Sequence, residues 1–130
     1  MTNGVETRAQ IDTETMKALL LVNGGGALAL LALLPSVLDR PGQDSLAKAI
    51  LIGVVILSVG LFLAIVHNRY RRKCSLLHSL NNMRPPAERL FGIQLRSARV
   101  CFLSGAFMWL SAASFMVATL TVAAIGFFTI

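Results

Sequence analysis

The chain has 130 residues, 55% of them hydrophobic and only 14% charged, with a formal net charge of +6. Residues 18–38, 49–68 and 100–130 form three runs without Asp, Glu, Lys or Arg. A water-soluble domain of this length has too little polar surface to cover three such runs, which excludes a soluble enzyme, a disordered tail, a disulfide scaffold and a collagen-like fibre. The expected fold class is all-α: an integral membrane protein with three transmembrane helices, organised as one membrane domain over 1–130.

A hydrocarbon core of roughly 30 Å takes about 20 helical residues. The first span is expected over 17–37, with Asp12 or Thr13 as its N-cap and Pro35 at its far end. The segment before it carries Glu6, Asp12 and Glu14 against Arg8, too acidic for the basic start of a cleaved signal peptide. The second span is expected over 48–68, followed by Tyr70 at an interfacial position. The third run would be about 46 Å long as a helix. A span over 102–126 is expected from it, tilted or extending past the bilayer, with Trp109, Phe127 and Phe128 as interface anchors.

Eight of the twelve basic residues lie between the second and third runs: Arg69, Arg71, Arg72, Lys73, Arg84, Arg89, Arg96 and Arg99. Short loops rich in Lys and Arg stay in the cytoplasm. The expected topology is therefore a basic cytoplasmic helical hairpin over 69–101, with the N-terminus cytoplasmic and the C-terminus outside (the inner membrane, if bacterial). These eight side chains are expected to meet anionic lipid headgroups. No aromatic-interleaved RNA motif or DNA-binding module accompanies them, so nucleic acid is not an expected partner. No helix breaker occurs over 69–82, which extends the second helix. The stretch 81–86 breaks it, and Pro86 with Glu88 starts the next helix. The segment 88–100 either projects with its partner or lies along the membrane surface.

Within the runs there is no ionisable side chain before His67. A proton relay and the usual acids and bases of catalysis are thus missing from the spans, and neither enzyme activity nor a cofactor is expected. Small multidrug transporters depend on an intramembrane Glu that this chain lacks. His67, Cys74 and His78 share a helical face at a spacing compatible with metal binding. The set is incomplete and Arg71 lies on the same face, so no metal site is expected. Cys74 and Cys101 could meet across the hairpin, but a cytoplasmic location keeps such thiols reduced.

Three patterns of small and polar residues mark contact faces. Asn23 precedes Gly24, Gly25 and Gly26, which weaken a helix and admit a close neighbour; the group serves close packing or forms a hinge or polar lining. Ala49, Gly53, Gly60 and Ala64 make a small-residue seam on the second span. Ser104, Ser111, Ser114, Ala118 and Thr121 form a stripe on the third, read either as helix packing or as a hydroxyl-lined conduit. Ser111 and Ser114 have no nearby base to activate them as nucleophiles.

Two separate small-residue faces predict self-association or a larger membrane partner. The first expectation is a homo-oligomeric channel or membrane-permeabilising effector, lined by Asn23 and the third-span stripe. The second is a non-catalytic accessory or scaffolding subunit of a larger membrane complex. In size and number of spans the chain resembles phage holins. Those commonly end in a charged cytoplasmic tail, whereas this chain ends in Phe127, Phe128, Thr129 and Ile130, and no residue role is carried over.

Overall fold

The computed structural model describes residues 3–82 and 91–129. They form three α-helices: α1 (Asn3–Leu38), α2 (Asp44–Asn82) and α3 (Phe91–Thr129). Each contains a stretch long and apolar enough to cross a membrane, at Thr13–Leu38, Asp44–Leu77 and Ala98–Phe128. The protein is thus an all-α, multi-pass membrane protein, as hydropathy predicts.

The start of α1 differs from expectation. The helix runs unbroken from Asn3, so neither Asp12 nor Thr13 caps it. The intervening sequence contains no proline to break a helix. Pro35 does not end α1 either, but sits inside its last turn. Proline lacks an N–H, but its carbonyl still accepts from Asp39 N at 3.1 Å, and the helix stops a few residues later. The turn that follows contains Pro41 and Gly42, whose φ of 87° is the left-handed conformation glycine tolerates. Asp44 then lies in the first turn of α2, where a negative charge suits the helix dipole.

Helix α2 extends through the basic stretch to Asn82, and α3 is unbroken from Phe91 to Thr129. The expected breaker over 81–86 extends beyond the described residues; Arg84, Pro86, Glu88 and Arg89 all lie outside them.

Helix α2 is the centre of the bundle. It packs along α3 and, less extensively, along α1, while α1 and α3 scarcely touch. The buried positions of α2 include Ile50, Gly53, Leu57, Gly60, Ala64 and His67, alternating steps of three and four. That is the 3.5-residue period of a left-handed antiparallel pair. On α3 the matching positions are Ser104, Ser111 and Ala118, seven apart and all buried. Small side chains on both seams let the helices approach closely, which is how helices associate where lipid removes the hydrophobic driving force.

The outer faces are apolar and uncovered. Leu21 and Leu28 of α1, Val55 and Phe62 of α2, and Phe102 and Trp109 of α3 are all exposed. In the most apolar stretch of α1 only 6% of residues are buried, against 33% for α2 and 11% for α3. Lipid or other helices must cover this surface.

Candidate functional site

The most concentrated polar chemistry of the spans lies where the three helices meet. Asn23 of α1 and Ser111 of α3 are fully buried. The Asn23 Nδ2 donates to the carbonyl of Leu19 on its own helix at 3.0 Å and to Ser111 Oγ at 3.2 Å. Ser111 O lies a little farther, at 3.4 Å. The Ser111 hydroxyl donates in turn to the carbonyl of Gly60 on α2 at 2.8 Å. A single line of hydrogen bonds therefore runs α1 to α3 to α2. The Asn23 amide orientation follows from this network, since only the nitrogen can donate. Ser114 Oγ donates to Ser111 O at 2.7 Å and also lies 3.5 Å from Asn23 Oδ1.

Gly60 makes this junction possible. A Cβ at that position would overlap Ser114 Oγ and Asn23 Oδ1 and come within 2.9 Å of Asn23 Cγ. The missing side chain also exposes the Gly60 carbonyl to the Ser111 hydroxyl. One level away, Gly53 has the same role for apolar neighbours: a Cβ there would meet Leu30 Cδ1 at 2.9 Å and Val122 Cγ2 at 3.1 Å.

A second polar level lies seven residues along each helix, between His67 and Ser104, both buried. His67 Nδ1 is 2.6 Å from the Ser104 carbonyl. A carbonyl can only accept, so Nδ1 carries the proton. Ser104 Oγ lies 3.0 Å from the same nitrogen and makes a long 3.5 Å bond to the His67 carbonyl. With Nδ1 already a donor, it cannot draw the proton from the Ser104 hydroxyl, so the pair lacks the polarity of a nucleophile and its base.

A further seven residues along α2, Cys74 is disulfide-bonded to Cys101 of α3, with Cα atoms 5.2 Å apart. This corrects the expectation of separate thiols. The register that sets Gly60 against Ser111 and His67 against Ser104 puts position 97 opposite Cys74, and Cys101, one helical turn along α3, reaches it diagonally across the seam; a compartment argument says nothing about that geometry. The bond takes Cys74 out of any metal set, and His67 is engaged by Ser104. Among the described residues no group of His, Cys, Asp and Glu could hold a metal ion. Between these levels Tyr70 and Phe107 pack with ring centroids 5.4 Å apart, and Lys73 Nζ lies 5.9 Å from the Tyr70 centroid.

The other residues marked in the sequence divide as follows. Ala49, Gly53, Gly60 and Ala64 are all buried. The α3 stripe splits: Ser104, Ser111 and Ala118 are buried, Ser114 is half-buried against Asn23, and Thr121 Oγ1 donates to Val117 O on its own helix at 2.7 Å. Gly26 lies against Leu57 and Phe115, whereas a Cβ on Gly25 would meet open space. Of the basic residues, Arg69, Arg72, Lys73, Arg96 and Arg99 are exposed and Arg71 is half-buried. Sequence reasoning did not assign His67 to the core or Leu57 to its centre. The seven-residue step through Gly53, Gly60, His67 and Cys74 carried that information.

No protein family matches the chain, nor does any curated protein or solved structure.

Proposed function

We propose that the protein is a non-catalytic subunit of a larger membrane complex, acting as an accessory or scaffold through its apolar outer faces. The observation that carries this reading is where the polar groups of the spans are spent. Asn23, Ser104 and Ser111 are bonded within the bundle, and Leu, Val, Ile and Phe side chains face outward. A conduit lined by the α3 hydroxyls would require Ser104 and Ser111 to turn away from α2. An apolar cleft of about 260 Å³ between α1 and α3, lined by Ala18, Val22, Ala112, Phe115 and Met116 among others, is open to a neighbouring helix. His67 Nδ1, spent as a donor to the Ser104 carbonyl, does not serve as a base for the Ser104 hydroxyl, and the Ser111 hydroxyl is given to the Gly60 carbonyl, which supports a non-enzymatic role.

In this reading the basic end of α2 and α3 faces the cytoplasm, because eight Lys and Arg residues cluster there. The N-terminus shares that side and the C-terminus is outside.

The test is purification from the native membrane after cross-linking, with single cysteines at Leu28 and Leu120 in a Cys74→Ser, Cys101→Ser background. A distinct membrane protein should be captured from both positions, and the purified chain alone should give no conductance above a protein-free bilayer. A closed ring of identical chains that conducts would overturn the proposal in favour of a homo-oligomeric channel.

A further inference from the structure

We infer that the cleft between residues 13–17 of α1 and residues 68–72 of α2 is a binding site for a phosphate group, carried by an anionic phospholipid headgroup or free in solution. The cleft has a volume of about 200 Å³ and is lined by Thr13, Met16 and Lys17 of α1 and by Asn68, Arg71 and Arg72 of α2. Each set has the same spacing, with the second and third members three and four residues after the first. Each therefore occupies one helical face, and the two faces look at each other across the cleft.

The chemistry is that of an anion receptor. Lysine offers three donors and each arginine a planar fork of five, which pairs in a bidentate manner with phosphate oxygens. Thr13 and Asn68 add a hydroxyl and an amide. Lys17 and Arg72 bring positive charge to the cleft from two helices, and an anion between them would bind to both. Met16, almost fully buried, provides an apolar floor. Glu14 Oε1 lies 2.9 Å from Lys17 Nζ. Both side chains are more than half exposed there, and such a pair is weak. Thr13 and Arg71 each have a further interaction within the chain, so the site does not depend on either being free.

Position distinguishes this cleft from the other basic residues. The charge-free run of α1 begins at residue 18, and that of α2 ends at residue 68. The cleft thus lies at the edge of both charge-free runs, where basic side chains are expected to meet lipid phosphates. Lys73, by contrast, lies over the Tyr70 ring, and it, Arg96 and Arg99 do not line the cleft. A phosphate held by Lys17 on one side and Arg72 on the other would bridge α1, the least buried helix, to α2.

The experiment measures binding of phosphatidylglycerol, phosphatidylcholine and inorganic phosphate to the full chain in neutral detergent, by native mass spectrometry and thermal shift. Phosphatidylglycerol should bind more tightly than phosphatidylcholine. Lys17→Gln with Arg72→Gln should weaken it about tenfold or more, whereas Arg40→Gln with Lys48→Gln, which removes the same formal charge at the opposite end of the bundle, should leave it unchanged. Lys17→Arg with Arg72→Lys keeps both charges and should retain binding. Full displacement of phosphatidylglycerol by inorganic phosphate supports the site with a soluble ligand; resistance to displacement supports it with a lipid one. Equal weakening by the two glutamine pairs would overturn the proposal, as would a wild-type chain that neither prefers phosphatidylglycerol nor responds to phosphate.

Discussion

Asn23 and Ser111, 88 residues apart in sequence, meet side chain to side chain at 3.2 Å in the interior of the bundle. Their contact is the only described side-chain to side-chain hydrogen bond between buried groups of α1 and α3, two helices that otherwise scarcely touch. The bond passes to α2 through the Ser111 hydroxyl, so its loss should be felt by all three helices.

A double-mutant cycle of Asn23→Ala and Ser111→Ala measures that connection. Hydrogen bonds between membrane helices average about 0.6 kcal/mol and reach about 1.7. The coupling should lie in that interval, read from reversible unfolding in mixed micelles. Strictly additive effects would show that the two side chains do not act together.

Three glycines should respond differently to the same change. Gly60→Ala places a methyl group into Ser114 and Asn23 and should cost about 1–3 kcal/mol, as overpacking does. Gly53→Ala meets only the ends of Leu30 and Val122, which can move, and should be milder. Gly25→Ala enters open space and should stabilise by up to about 1 kcal/mol through helix propensity. Thermal unfolding of the three variants checks the order, and a Gly60→Ala protein as stable as wild type would contradict the geometry.

At the second polar level the main acceptor is a backbone carbonyl. Ser104→Ala leaves the Ser104 carbonyl and its 2.6 Å partner in place and should cost less than His67→Leu. The latter removes the donor, at about 1 kcal/mol for a typical bond, and leaves the carbonyl unpaired. The same unfolding measurement compares them, and a larger effect for Ser104→Ala would mean that the hydroxyl is the principal partner.

The cysteine pair reports on topology. Cytoplasmic thiols stay reduced and secreted ones pair. If the basic end is cytoplasmic, cellular thiols should reduce the Cys74–Cys101 bond, so that both cysteines react with a membrane-permeant alkylating reagent in intact cells before any reductant is added. In purified protein exposed to air the bond of the structure should re-form and protect them, because the fold holds their Cα atoms 5.2 Å apart. Protection in freshly quenched cells would place this end on the oxidising side and reverse the orientation.

The three spans are legible in the sequence because a water-soluble fold of this size does not tolerate repeated charge-free runs as long as a bilayer is thick. Gly53, Gly60, Ser104 and Ser111 are legible as contact positions too, since small residues at helical spacing allow helices to approach closely in lipid. Which helix each would face is not: the stripe on α3 suits a packing seam and a pore wall equally well. Asn23 illustrates the difficulty, because its partners lie on two other helices and only the antiparallel register brings them together. The ends of α1 depart from expectation for a simpler reason. Capping residues and proline are weak signals where no tertiary contact forces the chain to turn.

The position of Asn23 has a consequence for biosynthesis. Its own helix is made first, and Ser111 emerges 88 residues later, roughly 4–18 s at ordinary rates of translation. During that interval the amide would lie in hydrocarbon with no partner from another helix. The 3.0 Å bond to the Leu19 carbonyl lies entirely within α1 and can form as soon as that helix does. The first span can therefore wait in the bilayer with one of its two amide donor positions satisfied, and the arrival of α3 brings a partner for the other.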